Sequence, residues 1–78
     1  MLLYPNPASD RLTLSGDFAA KATIRLFSLS GKLVLSPKVV QPGSPEVELN
    51  VSSLSAGMYF LQVMSESGRV WSEKVLVE

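Results

Sequence analysis

Apolar and polar residues alternate with a period of two along most of the chain. Leu12 and Leu14 stand against Arg11 and Thr13, Ala22, Ile24 and Leu26 against Thr23, Arg25 and Phe27, and Val47, Leu49 and Val51 against Glu46 and Glu48. A period of two sends successive side chains to opposite faces of a strand. The runs are short and are punctuated by Gly, Pro, Ser and Asn clusters roughly every 8 to 12 residues, the spacing of a sandwich or barrel. No stretch of helical length shows a 3.6-residue period. About seven strands are therefore expected: Leu2 to Tyr4, Arg11 to Ser15, Ala22 to Ser28, Leu33 to Lys38, Glu46 to Val51, Met58 to Met64 and Val70 to Val77. Seven short antiparallel strands in 78 residues close most naturally as an all-β, Ig-like sandwich, a single domain over residues 1–78.

The connections carry their own chemistry. Leu29-Ser30-Gly31-Lys32 reads as the turn of a hairpin, with Gly31 supplying a positive φ. Gly16 to Lys21, Gln41 to Pro45, Ser52 to Gly57 and Glu66-Ser67-Gly68 are the other corners. The opening YPNPAS holds Pro5 and Pro7, which have no N–H for a ladder and bias Tyr4 and Asn6 toward extended backbone. It reads as a stiff lead-in that pairs with nothing and delivers the chain to Arg11. Leu54-Ser55-Ala56-Gly57-Met58-Tyr59 has the layout of a tyrosine corner, in which the phenol bonds to the backbone a few residues upstream and Leu54 plugs the end of the sandwich. The closing strand is apolar in both phases, Trp71, Val75 and Val77 against Val70 and Leu76, so alternation leaves two readings. Either both faces are core, or the strand lies at an edge whose backbone a partner could extend.

Composition narrows the function. Seven Lys/Arg balance seven Asp/Glu, so no electrostatic hold on nucleic acid or on an anionic membrane is expected. The chain contains neither histidine nor cysteine, which removes the commonest acid/base, the usual partner of a nucleophilic serine, and the commonest zinc ligands. No catalytic residue, metal or cofactor is expected. Gly31-Lys32 is not the end of a phosphate loop, because Leu26 occupies the position of that motif's first glycine. Glu46 and Glu48 are spaced like paired carboxylates, about 6.6 Å along a strand, yet their alternation with Val47 and Leu49 marks a solvated face. Asn50-Val51-Ser52 fits a glycosylation sequon, a pattern too short to carry weight alone. The apolar runs are too short for a membrane span, and Met1-Leu2-Leu3 runs into prolines without the regions of a signal peptide.

Four segments in series carry a resemblance: YPNPASDRLTL, IRLFSLSGKLV, LNVSSLSAGMYFLQV and the closing WSEKVLVE. In this order and spacing the chain resembles the C-terminal sorting domain of the type IX (Por) secretion system of Bacteroidetes, over almost its whole length. The resemblance implies a domain at the end of a larger secreted protein, and the start at Met1 directly ahead of YPNP fits one excised from such a parent. The parent would cross the inner membrane on its own N-terminal signal, and the translocon and outer-membrane shuttle would recognise the folded tail. A sortase-like peptidase would then remove it, with the cut expected at or before Leu3, and attach the cargo to the cell surface.

Carried over residue by residue, the family pattern falls on Pro5, Asn6 and Pro7 at the opening, Gly31 and Val34 at the hairpin, and Leu54, Gly57 and Tyr59 at the corner. Trp71, Lys74, Val75, Leu76, Val77 and Glu78 are the candidates for translocon recognition. Two positions depart from the pattern. Ser28 stands where the family often has Asp or Asn, which bears on turn strength, and Glu78 stands where a basic residue is frequent, which bears on export. Removal of Val75 to Glu78 separates the two readings of the closing strand: a still-folded fusion held in the periplasm is expected if it signals, and unaltered export contradicts that role. An exposed closing strand also allows an edge-strand dimer. The competing reading is an Ig-like glycan-binding or adhesive module of a secreted enzyme, for which Phe27 and Trp71 are the stacking candidates and Tyr4 and Phe18 weaker ones. A purely structural spacer is the third.

Overall fold

A computed structural model describes every residue except Asn6, Asp17 and Pro45. The period-two runs become β1 (Leu2–Tyr4), β2 (Arg11–Ser15), β3 (Ala22–Ser28), β4 (Lys38–Val40), β5 (Glu46–Asn50), β6 (Gly57–Ser65) and β7 (Val70–Val77). They form two antiparallel sheets, one ordered β1-β2-β5 and one β4-β3-β6-β7. The all-β sandwich is thus present with its seven strands. Alternation decides what lies between the sheets. Leu12, Leu14, Ala22, Ile24, Leu26, Val47, Leu49 and Val51 are all buried, joined from β6 and β7 by Tyr59, Leu61, Val63, Val75 and Val77. Leucine and valine side chains of this kind contribute roughly 1.5–3 kcal/mol each when fully buried. No buried polar or charged residue is found among the described residues, so the core is held by packing.

The two-faced closing strand resolves in favour of an edge. Among the strands of the described residues, β7 has β6 as its one neighbour in the sheet, paired from Gly57↔Val77 to Met64↔Val70. Val75 and Val77 point into the core, and Trp71 packs half-buried against it. Glu73, on the same inward phase, is exposed, so the facing sheet does not cover the middle of the strand.

Two expectations are corrected. Leu33 to Lys38 is not one strand. Leu33 bridges Phe27 and the Val34 N–H donates to the Leu26 carbonyl at 2.9 Å, but regular pairing resumes only at Lys38, opposite Ile24. Continuing the Phe27↔Leu33 register would set Ser36 there, so two extra residues are accommodated. Pro37 has no N–H to donate to the ladder, and the resulting bulge lets the consecutive Val34 and Leu35 both pack on the core.

The opening segment is not a lead-in that pairs with nothing. Tyr4 already pairs with Thr13 in β1, and the Tyr4–Pro5 peptide is cis. Ala8, 1% exposed, then crosses to the other sheet and forms a parallel bridge with Val77. Its N–H donates to the Leu76 carbonyl, and the Glu78 N–H donates to the Ala8 carbonyl, each at 2.8 Å. The prolines bar pairing only at their own positions. Ala8, the first residue beyond them, has a donor and uses it.

Candidate recognition surface

The residues carried over from the family pattern come from all parts of the sequence and gather at one end of the sandwich. Strand register shows this directly. Tyr59 lies opposite Ser28 in β3 and Val75 in β7, and Gly57 lies opposite Val77. Ala8, just after Pro7, bridges Val77, while the Val51 N–H donates to the Asp10 carbonyl. Pro5, Pro7, Gly31, Leu54, Gly57 and Tyr59 therefore lie toward the same end of the sandwich as the C-terminus of β7, while Val34, bonded to Leu26, stands nearer the level of Glu73; Asn6 lies outside the described residues. Leu2, opposite Ser15, heads the other way. The seven residues of β3 put the two ends about 20 Å apart.

Each corner at this end has a local cause. Gly31 adopts φ 87°, a conformation open to glycine at little cost. The Gly31 N–H donates to the Ser28 carbonyl and the Ser28 N–H to the Lys32 carbonyl, at 2.9 and 2.8 Å. Ser28 Oγ accepts from the Lys32 N–H at 3.2 Å and pairs with Ser30 Oγ at 2.9 Å. The hydroxyl thus supplies the acceptor that an Asp or Asn side chain would offer at such a turn. The turn between β6 and β7 repeats the design. There Ser65 Oγ accepts from the Arg69 N–H at 3.1 Å and pairs with Ser67 Oγ at 2.7 Å, with Gly68 at φ 94°. The sequence shows this twin as S-L-S-G-K and S-E-S-G-R, a likeness the segment-by-segment reading passed over.

At the corner, Tyr59 Oη donates to the Ser55 carbonyl at 2.6 Å, the bond of a tyrosine corner, and Leu54 packs half-buried on the core. Asn50 Oδ1 accepts from both the N–H and the hydroxyl of Ser52, at 3.0 and 2.6 Å. A turn-forming role therefore accounts for the Asn-Val-Ser sequence. On the outer face of the three-stranded sheet, Tyr4 Oη donates to Glu46 Oε2 at 2.6 Å. That bond, with lesser help from desolvation and the carboxylate charge, raises the Tyr4 pKa above 10.0, since donation to a carboxylate favours the neutral phenol. Glu48 is 3.8 Å from Arg11, both exposed, a pair of small energetic weight.

The recognition candidates of β7 do not form one cluster. Lys74, Leu76 and Glu78 lie at the motif end. Trp71 lies opposite Val63 and lines an open cleft of about 780 Å³ at the other end, with Met1, Phe18, Arg69 and Val70. Trp71 and Phe27 also occupy opposite faces of the sheet, inward and outward respectively, so the two stacking candidates form no shared platform and the glycan-binding alternative is not favoured. Among the described residues, no cluster of acidic side chains could hold a metal ion.

A family model, the secretion system C-terminal sorting domain, matches residues 2–78. The chain belongs to that family. It is 31% identical over 75 residues to ulvan lyase NLR42 of Nonlabens ulvanivorans. It is 29% identical over 75 residues to beta-agarase D of Zobellia galactanivorans. Each alignment takes in 96% of this chain and 14% of the relative, so the chain spans a small part of the curated relatives it matches. As a sorting domain of this family, it marks a protein for export by the type IX secretion system, to the cell surface or beyond.

Proposed function

We propose that the domain acts as a removable, non-catalytic address, read by the type IX translocon and its outer-membrane shuttle from the end that gathers Pro5, Pro7, Gly31, Leu54, Gly57, Tyr59 and the terminus of β7. The reading is supported by one observation above all: the bridge between Ala8 and Val77 ties the opening motif to the C-terminal residues, so the two most separated parts of the pattern present one surface. Recognition needs no chemistry at that surface. β7 is an edge strand, and an edge can be extended by a partner through main-chain hydrogen bonds. The clip limits where this happens. Ala8 already occupies the Leu76 carbonyl and the Glu78 N–H, so a partner that adds a strand there must displace it, whereas side-chain reading of Lys74 and Glu78 leaves it in place.

A sortase-like peptidase needs an extended, accessible substrate segment. Leu3 pairs with Leu14 inside β1 and is half-buried, so the cut that releases the cargo belongs upstream of Leu2. The domain, at residues 1–78, is then the unit removed from a larger secreted protein. A reporter carrying these 78 residues at its C-terminus tests the proposal in a bacterium with a type IX system. The expected result is a reporter at the surface or in the medium, retained in the periplasm of a translocon-deficient strain, with mass spectrometry showing a cargo terminus upstream of Leu2. Equal export with and without the translocon would overturn it.

A further inference from the structure

The outward faces of the two sheets differ. On the three-stranded sheet, the outward positions of β2 and β5 are Arg11, Thr13, Ser15, Glu46, Glu48 and Asn50, as a solvated face should be. On the four-stranded sheet, Phe27 stands directly opposite Phe60, and Met58 opposite Leu76. Leu33 continues the Phe27 row through its bridge. Met58 and Leu33 are 38% and 41% exposed, while Phe27, Phe60 and Leu76 are half-buried. The patch extends about 14 Å across the strands and about 7 Å along them. Arg25 and Lys74 share this face, and among the described residues of its strands no carboxylate does; Glu66 borders Arg25 beyond the end of β6, and Glu78 follows Leu76 in phase.

We propose that the Phe27–Phe60 face docks a partner protein whose complementary surface is apolar at the centre and acidic at the rim; this rests on the sorting reading, by which the partner belongs to the export machinery. Aromatic, methionine and arginine side chains are the types enriched at protein interfaces, and a contiguous exposed apolar patch marks an interaction site. Charge complementarity selects the occupant. A second copy docked face to face would bring Arg25 and Lys74 against their own counterparts, a like-charge arrangement that opposes association. An anionic bilayer is attracted by clusters of four or more cations, and this face has two on a chain of no net charge.

The test compares reporter fusions to the full 78-residue chain in a type IX-competent bacterium: wild type, Arg25→Glu, Phe27→Thr/Phe60→Thr, and the opposite-face control Glu46→Lys/Glu48→Lys. All leave Lys74 to Glu78 intact. Thermal melts of the purified domains establish folding, and Arg25→Glu decides alone if the phenylalanine variant does not fold. Expected is a loss of export of about tenfold or more for Arg25→Glu and for the phenylalanine variant, with folded domain held in the periplasm and the control exported as wild type. Wild-type export of a folded Arg25→Glu variant, or equal loss in the control, overturns this face while leaving the sorting reading intact. A wild-type fusion that is not exported overturns both. Sedimentation showing a dimer that Arg25→Glu or the phenylalanine change disperses, or binding to vesicles with 30% anionic lipid that either change abolishes, would reassign the face to a second copy or a bilayer and overturn the proposal.

Discussion

Deletion of Val75 to Glu78 should unfold the domain rather than merely silence it. Val75 and Val77 are 0% and 1% exposed, and burial of two such side chains stabilises by roughly 3–6 kcal/mol. The deletion also removes both hydrogen bonds to Ala8, each worth about 0.5–1.5 kcal/mol net, and the part of the β6 ladder that pairs Gly57 to Tyr59. A domain of this length has roughly 4–12 kcal/mol of stability in all. The loss is therefore comparable to the whole. Far-ultraviolet circular dichroism of the truncated chain should show no cooperative melt above about 25 °C, the midpoint having fallen by several steps of roughly 4–8 °C, one for each kcal/mol lost. A truncated chain that melts cooperatively within about 5 °C of wild type would refute the reasoning, because Val75 and Val77 would then contribute far less than buried valines do. Such a deletion consequently fails as a test of signalling. Glu78→Lys is the cleaner perturbation. The Glu78 side chain is exposed, and its backbone N–H keeps the bond to Ala8 whatever the side chain. A folded variant with altered export would locate the signal in the terminal charge.

Tyr59→Phe removes the bond to the Ser55 carbonyl but leaves the ring in place. Because Ser55 is exposed its carbonyl can be hydrated, so the cost should be about 1 kcal/mol, seen as a fall in midpoint of roughly 4–8 °C; an unchanged melt would deny the corner a stabilising role. Gly31→Ala forces a side chain into φ 87° and should cost about 1 kcal/mol or more by chemical denaturation, with m unchanged. Phenol absorbance in a Tyr59→Phe background should show Tyr4 titrating above 10.0, and Glu46→Gln should bring it back toward the ordinary value. The sign of the linkage follows. A phenol whose folded pKa is raised contributes stability that is present below its unfolded pKa and lost as pH rises through the raised folded value, so Glu46→Gln should lose that small contribution at neutral pH, flatten the alkaline limb of the stability profile and converge with wild type above the raised pKa.

What the sequence makes legible here is what leaves a local trace. A period of two writes the inward face of β2, β3 and β5 residue by residue, and glycine at Gly31 or the Leu-Gly-Tyr spacing at Leu54, Gly57 and Tyr59 states a backbone requirement in the residues themselves. Phase alone could not choose the buried side of β7, because the strand is covered unevenly: Val75 and Val77 lie under the facing sheet and Glu73 does not. The bulge before β4 was hidden for a related reason. Leu33 to Lys38 has strand composition, and only the register against β3 shows that two residues are surplus. The contact between Ala8 and Val77 leaves no trace of any kind, since a one-residue parallel bridge between the two ends of a chain has no period and no turn chemistry. It also reverses the meaning of the opening motif. Two prolines without donors read as a segment that avoids the sheet, yet by barring pairing at their own positions they leave Ala8 to carry the bond to the other sheet. The features missed are thus the non-local ones, the clip and the apolar face centred on Phe27 and Phe60. Both bear on recognition, because a partner meets a folded surface on which residues distant in sequence stand together.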